Sequence, residues 1–212
     1  MLTRKMNWSC SRAIKGASYL AFSALLGFSA ACSPTSIEGN QLSPATVIPS
    51  ESPLPEGELQ SPDFTLTSSA FEPGAAIPIQ YSCEGDDLSP PLSWSSVPEG
   101  TSTFALIMED PDAPGGTWVH WVLYNLPADT RSLKAAIIDQ TDLPLGTLIG
   151  VNDWGEGSYG GPCPPSGTHR YFFYLFALDT AVDLNNATTD VLRDAFSGHI
   201  LAQTELVGTF SR

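Results

Sequence analysis

Thirteen consecutive residues, Tyr159-Gly-Gly-Pro-Cys-Pro-Pro-Ser-Gly-Thr-His-Arg-Tyr171, constrain this chain more than any other stretch. Three prolines lack the amide donor that a helix or ladder requires, and three glycines favour turns, so the segment must be a shaped loop. It runs straight into Phe172-Phe-Tyr-Leu-Phe-Ala-Leu178, an aromatic-rich run that predicts a strand buried on both faces and beginning near His169. Side chains alternate along a strand, so His169 and Tyr171 should emerge on one face and Arg170 on the other. A Gly- and Pro-rich loop thereby delivers an imidazole and a phenol side by side at a strand end, an arrangement suited to a small polar ligand.

A length of 212 residues accommodates one domain of about 150 residues with a leader and a tether. Amphipathic helical patterns are scarce before the C-terminal region, and the bias is toward an all-β domain with long loops. The formal charge of −14 understates the acidity of the part beyond the leader. Residues 1–31 hold Arg4, Lys5, Arg12 and Lys15 and no acid, which leaves five basic against 23 acidic residues, a formal charge of −18. A surface that negative repels nucleic acid and anionic head groups as bulk partners. A single phosphate in a local pocket stays open, because pocket donors act within the roughly 8 Å over which distant charge is screened.

Residues 1–31 have the layout of a signal peptide: a basic segment, then the apolar and small-residue run Ala17–Ala31. Fifteen residues fall short of the roughly 20 that a spanning helix needs, which disfavours a transmembrane anchor. Ser29-Ala-Ala-Cys32 resembles a bacterial lipoprotein signal, which implies that Cys32 becomes a lipidated N-terminus; the alternative is simple cleavage near Ala31. Residues 32–62 are rich in Ser, Pro, Glu, Gln and Thr without an aromatic, too poor in apolar surface to offset ordering entropy, and are expected to form a flexible tether. The protein is therefore expected to be exported and anchored by lipid to the cell membrane, facing the periplasm or exterior, or otherwise secreted or periplasmic.

The folded domain is expected over 63–212. Phe64 and Leu66 alternate with polar neighbours as in a half-buried strand, and Ile77-Pro-Ile-Gln-Tyr81 predicts an edge strand. Leu92–Trp94 and Thr103–Met108, apolar on both faces, follow, the latter a central strand halted by Glu109-Asp-Pro-Asp-Ala-Pro-Gly-Gly116. Trp118–Leu126 predicts another strand with Trp118, His120, Val122 and Tyr124 on one face, and Leu133–Asp153 carries little regular structure. A short helix is expected over Thr189–Gly198 with Val191, Leu192 and Ala195 at helical spacing, before a final segment that closes as a strand.

Polar groups gather where buried strands meet Pro/Gly loops at Asp110-Pro-Asp112, at Trp118-Val-His120 and at His169/Tyr171, and binding residues concentrate at such junctions. Asp110-Pro-Asp-Ala-Pro114, His120-Trp-Val-Leu-Tyr-Asn-Leu-Pro127 and Gly161-Pro-Cys-Pro-Pro-Ser-Gly-Thr-His-Arg-Tyr171 resemble the signature blocks of the phosphatidylethanolamine-binding protein family, in its bacterial Raf-kinase-inhibitor-like branch. The resemblance runs from about Phe64 to the C-terminus. It implies a Greek-key type β-sandwich of antiparallel strands, with one or two short helices near the C-terminus, and a small anion-binding cavity. Its cavity positions fall on Asp110, Asp112, Trp118, His120, Gly161, Pro162, His169 and Tyr171. An anion such as phosphate or a phospholipid head group would accept from imidazole, phenol and the Gly161 amide, while Asp110 and Asp112 would orient the histidines or receive an ammonium or hydroxyl group. Members of the family are linked to phospholipid head groups, kinase inhibition and protease inhibition.

Cys10 leaves with the leader, so in an exported protein Cys83 and Cys163 are expected to pair. The bridge would close a loop of about 80 residues, for which the chain-entropy model gives about 4.5 kcal/mol. The alternative is a reactive Cys163 with His169 as its base. No Gly-x-Ser-x-Gly elbow and no phosphate-cradling Gly-x-x-x-x-Gly-Lys-Ser/Thr loop occurs. His120, His169 and an aspartate could form a two-His, one-carboxylate metal site, but the resemblance implies an anion in that position, and a binding protein without enzymatic activity, cofactor or metal is expected. Two alternatives stand beside it: a hydrolytic or metal-assisted enzyme using the same His/Asp cluster, and an interaction module with a vestigial pocket. His199 is expected to be structural.

Overall fold

A computed structural model describes residues 63–212; the expected leader, Cys32 and the tether lie outside the described residues. The described chain is mostly β, with two antiparallel sheets and one short α-helix. Strands β1 (Thr65–Thr67), β2 (Leu92–Ser95) and β5 (Ser132–Leu133) form the smaller sheet in the order β1-β2-β5. The larger holds β3 (Thr103–Asp110), β4 (Trp118–Pro127), β6 (Leu148–Ile149), β7 (Thr168–Leu178) and β8 (Ile200–Ser211) in the order β6-β4-β3-β7-β8.

The five-stranded sheet is apolar on both faces because each is covered by something different. On one face Leu106, Met108, Trp121, Phe173 and Leu206 share a buried cluster with Leu66, Leu92, Trp94 and Leu133 of the smaller sheet. On the other, Ile107, Val122, Tyr124 and Phe176 pack with Leu192 and Phe196 of helix α1 (Thr189–Phe196). Burial of a side chain of that size stabilises by about 1.5–3 kcal/mol. The helix turns Leu192 and Phe196, four residues apart, to the sheet, whereas Val191 and Ala195, expected on that face, are exposed. The cover is also incomplete over the start of β7: Arg170 is exposed, and Phe172 and Tyr174 are half-buried under the guanidinium groups of Arg170 and Arg193, 5.6 and 5.7 Å from the ring centres. Burial on both faces therefore holds only for the second half of that strand.

Two further expectations give way to backbone chemistry. Ile77–Tyr81 is not a strand: Ala76 makes one bridge to Thr209, after which Pro78, lacking an amide, starts a 3-10 turn over Ile79–Tyr81. In β4 the strict alternation is broken twice. Val119 pairs with Glu109 and Trp121 with Met108, so His120 is an extra residue, and Val119 and Val122 reach the helix-side cluster while Trp121 reaches the opposite one. Asn125 makes the second irregularity at φ 56, a left-handed conformation that Asn tolerates, and its amide bonds both ways with the backbone of Val182 at 2.9 Å.

Candidate functional site

The register of the larger sheet brings three strand ends together. Asp110, last in β3, pairs with Trp118, first in β4, while its neighbour Glu109 pairs with Phe172 near the start of β7. Asp110, His120 and His169 thus converge from distant parts of the chain. With Trp118, Trp154, Pro114 and Cys163 they line a cavity of about 250 Å³.

Asp110 and His169 form one wall. The carboxylate is buried; Oδ2 accepts from His169 Nδ1 at 2.7 Å and Oδ1 from the Asp112 amide at 2.9 Å. That second bond is a local Asx turn, the reason Asp-Pro-Asp can end a strand sharply. As alternation requires, Tyr171 lies on the same face as His169, and Arg170 emerges on the other side.

His120 forms another part of the lining, with different support. Its Nδ1 donates to the Gly160 carbonyl at 2.7 Å, and the Gly160 amide donates back to the His120 carbonyl at 3.1 Å. Burial pushes the His120 pKa below the ordinary imidazole value, opposed by the nearby carbonyls and by Asp110. The bulge in β4 gives the ring this orientation: His120 and Trp121 turn toward one side, and the imidazole meets Tyr171 edge-on with centroids 5.2 Å apart.

Sequence reasoning missed Trp154. Its indole, 47% exposed, stands edge-on to Trp118 at 5.4 Å and to His120 at 5.0 Å. Asn152 shapes the loop that presents it, accepting from the amides of Trp154 and Glu156 and donating to the Ser158 carbonyl. Asp153 fastens that loop to β4 through the Val119 amide at 2.7 Å. Gly160 provides the seat: a Cβ there would lie 2.6 Å from Trp154 Cζ3. The signal in the sequence was a lone aromatic inside Asn152-Asp-Trp-Gly-Glu-Gly157, a loop that polar side chains could brace.

Three expected site residues have other partners, and a fourth, Tyr171, is buried without one among the described residues. Asp112 faces Arg170, accepting from its amide, Nε and Nη2 at 2.7–2.9 Å, and those bonds hold its carboxyl at a pKa of about 2. The Gly161 amide, expected to meet an anion, donates to Asp87 Oδ1 at 2.6 Å, and the Pro162 carbonyl accepts from the Cys83 amide. Gly161 lines a neighbouring cavity of about 240 Å³ that shares Trp154 and Cys163 with the first. Tyr171 is fully buried behind His120, and its hydroxyl has no hydrogen-bond partner among the described residues. Burial, reinforced by the Asp110 charge, raises its pKa far above the usual phenol value.

Cys83 and Cys163 are joined by a disulfide that ties the loop after the 3-10 turn to the Gly/Pro loop. His199 is remote from the cavity and bonds Asp179 at 2.8 Å. Among the described residues, no group of three or more His, Cys, Asp and Glu side chains is placed to hold a metal ion.

The arrangement has a definite donor logic. Both Nδ1 hydrogens are committed to protein acceptors, so each ring has only Nε2 to offer a guest. A neutral ring accepts there and a protonated one donates. Only the protonated form of either ring could therefore donate to an anionic guest.

Comparison with known proteins identifies the family of the chain. A family model described as phosphatidylethanolamine-binding protein matches residues 67–211. A UPF0098 protein of Methanothermobacter thermautotrophicus is 46% identical over 150 residues, covering 70% of this chain and 99% of the relative. One from Aquifex aeolicus is 45% identical over 151 residues, covering 68% and 86%. Among solved structures, a phosphatidylethanolamine-binding protein homologue from Chlamydia trachomatis matches with TM-score 0.65 at 41% identity, covering 70% of this chain and 97% of that one. An Escherichia coli protein described as a new member of the mammalian PEBP family gives 0.67 at 34% identity, covering 71% and 99%. The chain belongs to the phosphatidylethanolamine-binding protein family.

Proposed function

We propose that this protein is an exported binding protein, held at the membrane through an acylated Cys32, that takes a small anionic ligand in the cavity walled by Asp110, Trp118, His120, Trp154 and His169. Phosphate and a phospholipid head group share the required chemistry. The role is capture without turnover. In this reading the two sheets are halves of a Greek-key β-sandwich, since one apolar cluster draws on both. The observation that carries the function is the pair of buried imidazoles, each with Nδ1 engaged by the protein, lining one cavity of about 250 Å³.

Calorimetric titration of the purified protein tests it, with sulfate, phosphate and phosphoethanolamine as separate probes. Sulfate keeps its charge between pH 5 and 8, so a pH dependence of its affinity reports the protein. Binding should tighten as pH falls through the imidazole range and take up protons, and His120→Ala should weaken it. Sulfate affinity that is flat with pH, or unchanged by His120→Ala, would overturn the assignment. Phosphoethanolamine binding more tightly than phosphate would identify the head group as the source of the anion.

A further inference from the structure

The two sulfurs of the Cys83–Cys163 bridge sit in unlike surroundings. Cys83 is exposed and Cys163 half-buried. Arg212 Nη1 lies 3.7 Å from Cys163 Sγ, while its Nε pairs with Glu84, the neighbour of Cys83, at 2.8 Å. The backbone places Arg212, since its amide and carbonyl both bond Gly167 at 3.0 Å. A guanidinium beside one sulfur favours that sulfur as the thiolate, and the lower-pKa thiol is the better leaving group in exchange.

We propose that this bridge is a thiol–disulfide exchange site, opened by a dithiol that attacks Cys83 and expels Cys163 as a thiolate paired with Arg212. The incoming thiolate bonds to Cys83 Sγ; the bond between the two cysteine sulfurs breaks, and its electron pair leaves on Cys163. The second thiol of the reagent, its proton lost to solvent, then displaces Cys83 from the mixed disulfide. The protein bridge has gained two electrons and the dithiol has become a disulfide. The loops stay together afterwards, because Tyr159 Oη still donates to the Tyr81 carbonyl at 2.8 Å and the Gly161 amide to Asp87 at 2.6 Å. Opening the bridge therefore leaves a nucleophilic sulfur at Cys163, in the wall shared by the two cavities. The exchange does not depend on anion binding.

The charged and titratable groups around Cys163 are the Arg212 guanidinium, Glu84, Asp87, Glu156 and Tyr159 on one side and Asp110, His120 and His169 across the imidazole cavity. The test uses the full chain carrying Cys10→Ser and Cys32→Ser. Under native conditions, millimolar dithiothreitol should free both thiols to alkylation, mapped by mass spectrometry, while the aromatic circular dichroism of the folded protein persists. In Cys83→Ser, the ultraviolet thiolate absorbance of Cys163 should titrate with a midpoint about one pH unit below that of Cys83 in Cys163→Ser. Arg212→Gln in the Cys83→Ser background should remove that gap. Reduction that occurs only with unfolding, equal midpoints, or a gap that survives Arg212→Gln would each overturn the proposal.

Discussion

His169 and His120 line one cavity, yet a carboxylate holds the first ring and a backbone carbonyl the second. The Asp110–His169 wall joins the ends of two adjacent strands through a side-chain pair, and a charge-assisted bond of this kind is roughly twice as strong as a neutral one. The His120 wall depends on a bulge, on a reciprocal pair of bonds with Gly160 and on an indole braced from a loop. One half is fixed by which side chains are present. The other is fixed by where the backbone goes, so the two halves should respond differently to substitution.

The largest difference should appear on removing the acceptors. Asp110→Ala leaves His169 Nδ1 and the Asp112 amide without their partners, at 2.7 and 2.9 Å in the native protein, and should destabilise by about 3 kcal/mol. His120→Gln removes one neutral bond and should lose only about 1 kcal/mol. Urea denaturation of both variants measures the pair. Equal losses would mean that the two walls are energetically alike and the contrast is wrong.

A smaller effect probes how the second wall is built. Gly160→Ala would place a methyl 2.6 Å from Trp154 Cζ3 and 3.0 Å from Cε3, so the indole must leave its seat, at about 2 kcal/mol. Trp154→Ala should cancel most of that loss, because the clash is with the ring and not with the backbone. A double-mutant cycle reads the coupling directly. By contrast, a Cβ at Gly161 would meet the Tyr81 carbonyl oxygen at 2.4 Å, where no side chain can give way. A cycle showing no coupling between residues 154 and 160 would remove Trp154 from the wall.

The same contrast explains what the sequence made legible. An apolar run as short as Phe104–Met108, halted by a Pro/Gly loop, reads as a central strand, and the period-2 pattern put His169 and Tyr171 on one face with Arg170 opposite. That logic needs an unbroken ladder, and it failed in β4, where the bulge at His120 moved Val122 and Tyr124 to the other face from His120. Gly161 was expected to offer its amide to an anion because the family resemblance places it among the cavity positions. Its close approach is instead to Tyr81 and Asp87. Trp154 escaped notice because its position comes from Asn152, Asp153 and Gly160, none of which signals an aromatic wall by type or spacing. Helix α1 was placed correctly but rotated, since Val191, Leu192, Ala195 and Phe196 offer two apolar stripes and only packing against Phe176 selects one.

The smallest effect is the pH response of the carbonyl-held ring, and its sign follows from burial. An unfolded His120 takes up a proton near the ordinary value of 6.5, whereas the native ring does so only at lower pH. Between those two values the unfolded chain binds more protons, so His120 contributes its full stability above the ordinary value and loses it as pH falls below. The slope cannot exceed about 1.4 kcal/mol per pH unit, the ceiling for one proton. Denaturation midpoints of the wild type and His120→Gln, compared from pH 7.5 to 5, should converge toward the acid end. Saturating sulfate should flatten the wild-type curve, because an anion that binds the protonated ring returns in the native state the proton affinity that burial removes. Parallel curves without sulfate would show that the native ring binds its proton as readily as the unfolded one, so that burial does not disfavour the His120 imidazolium.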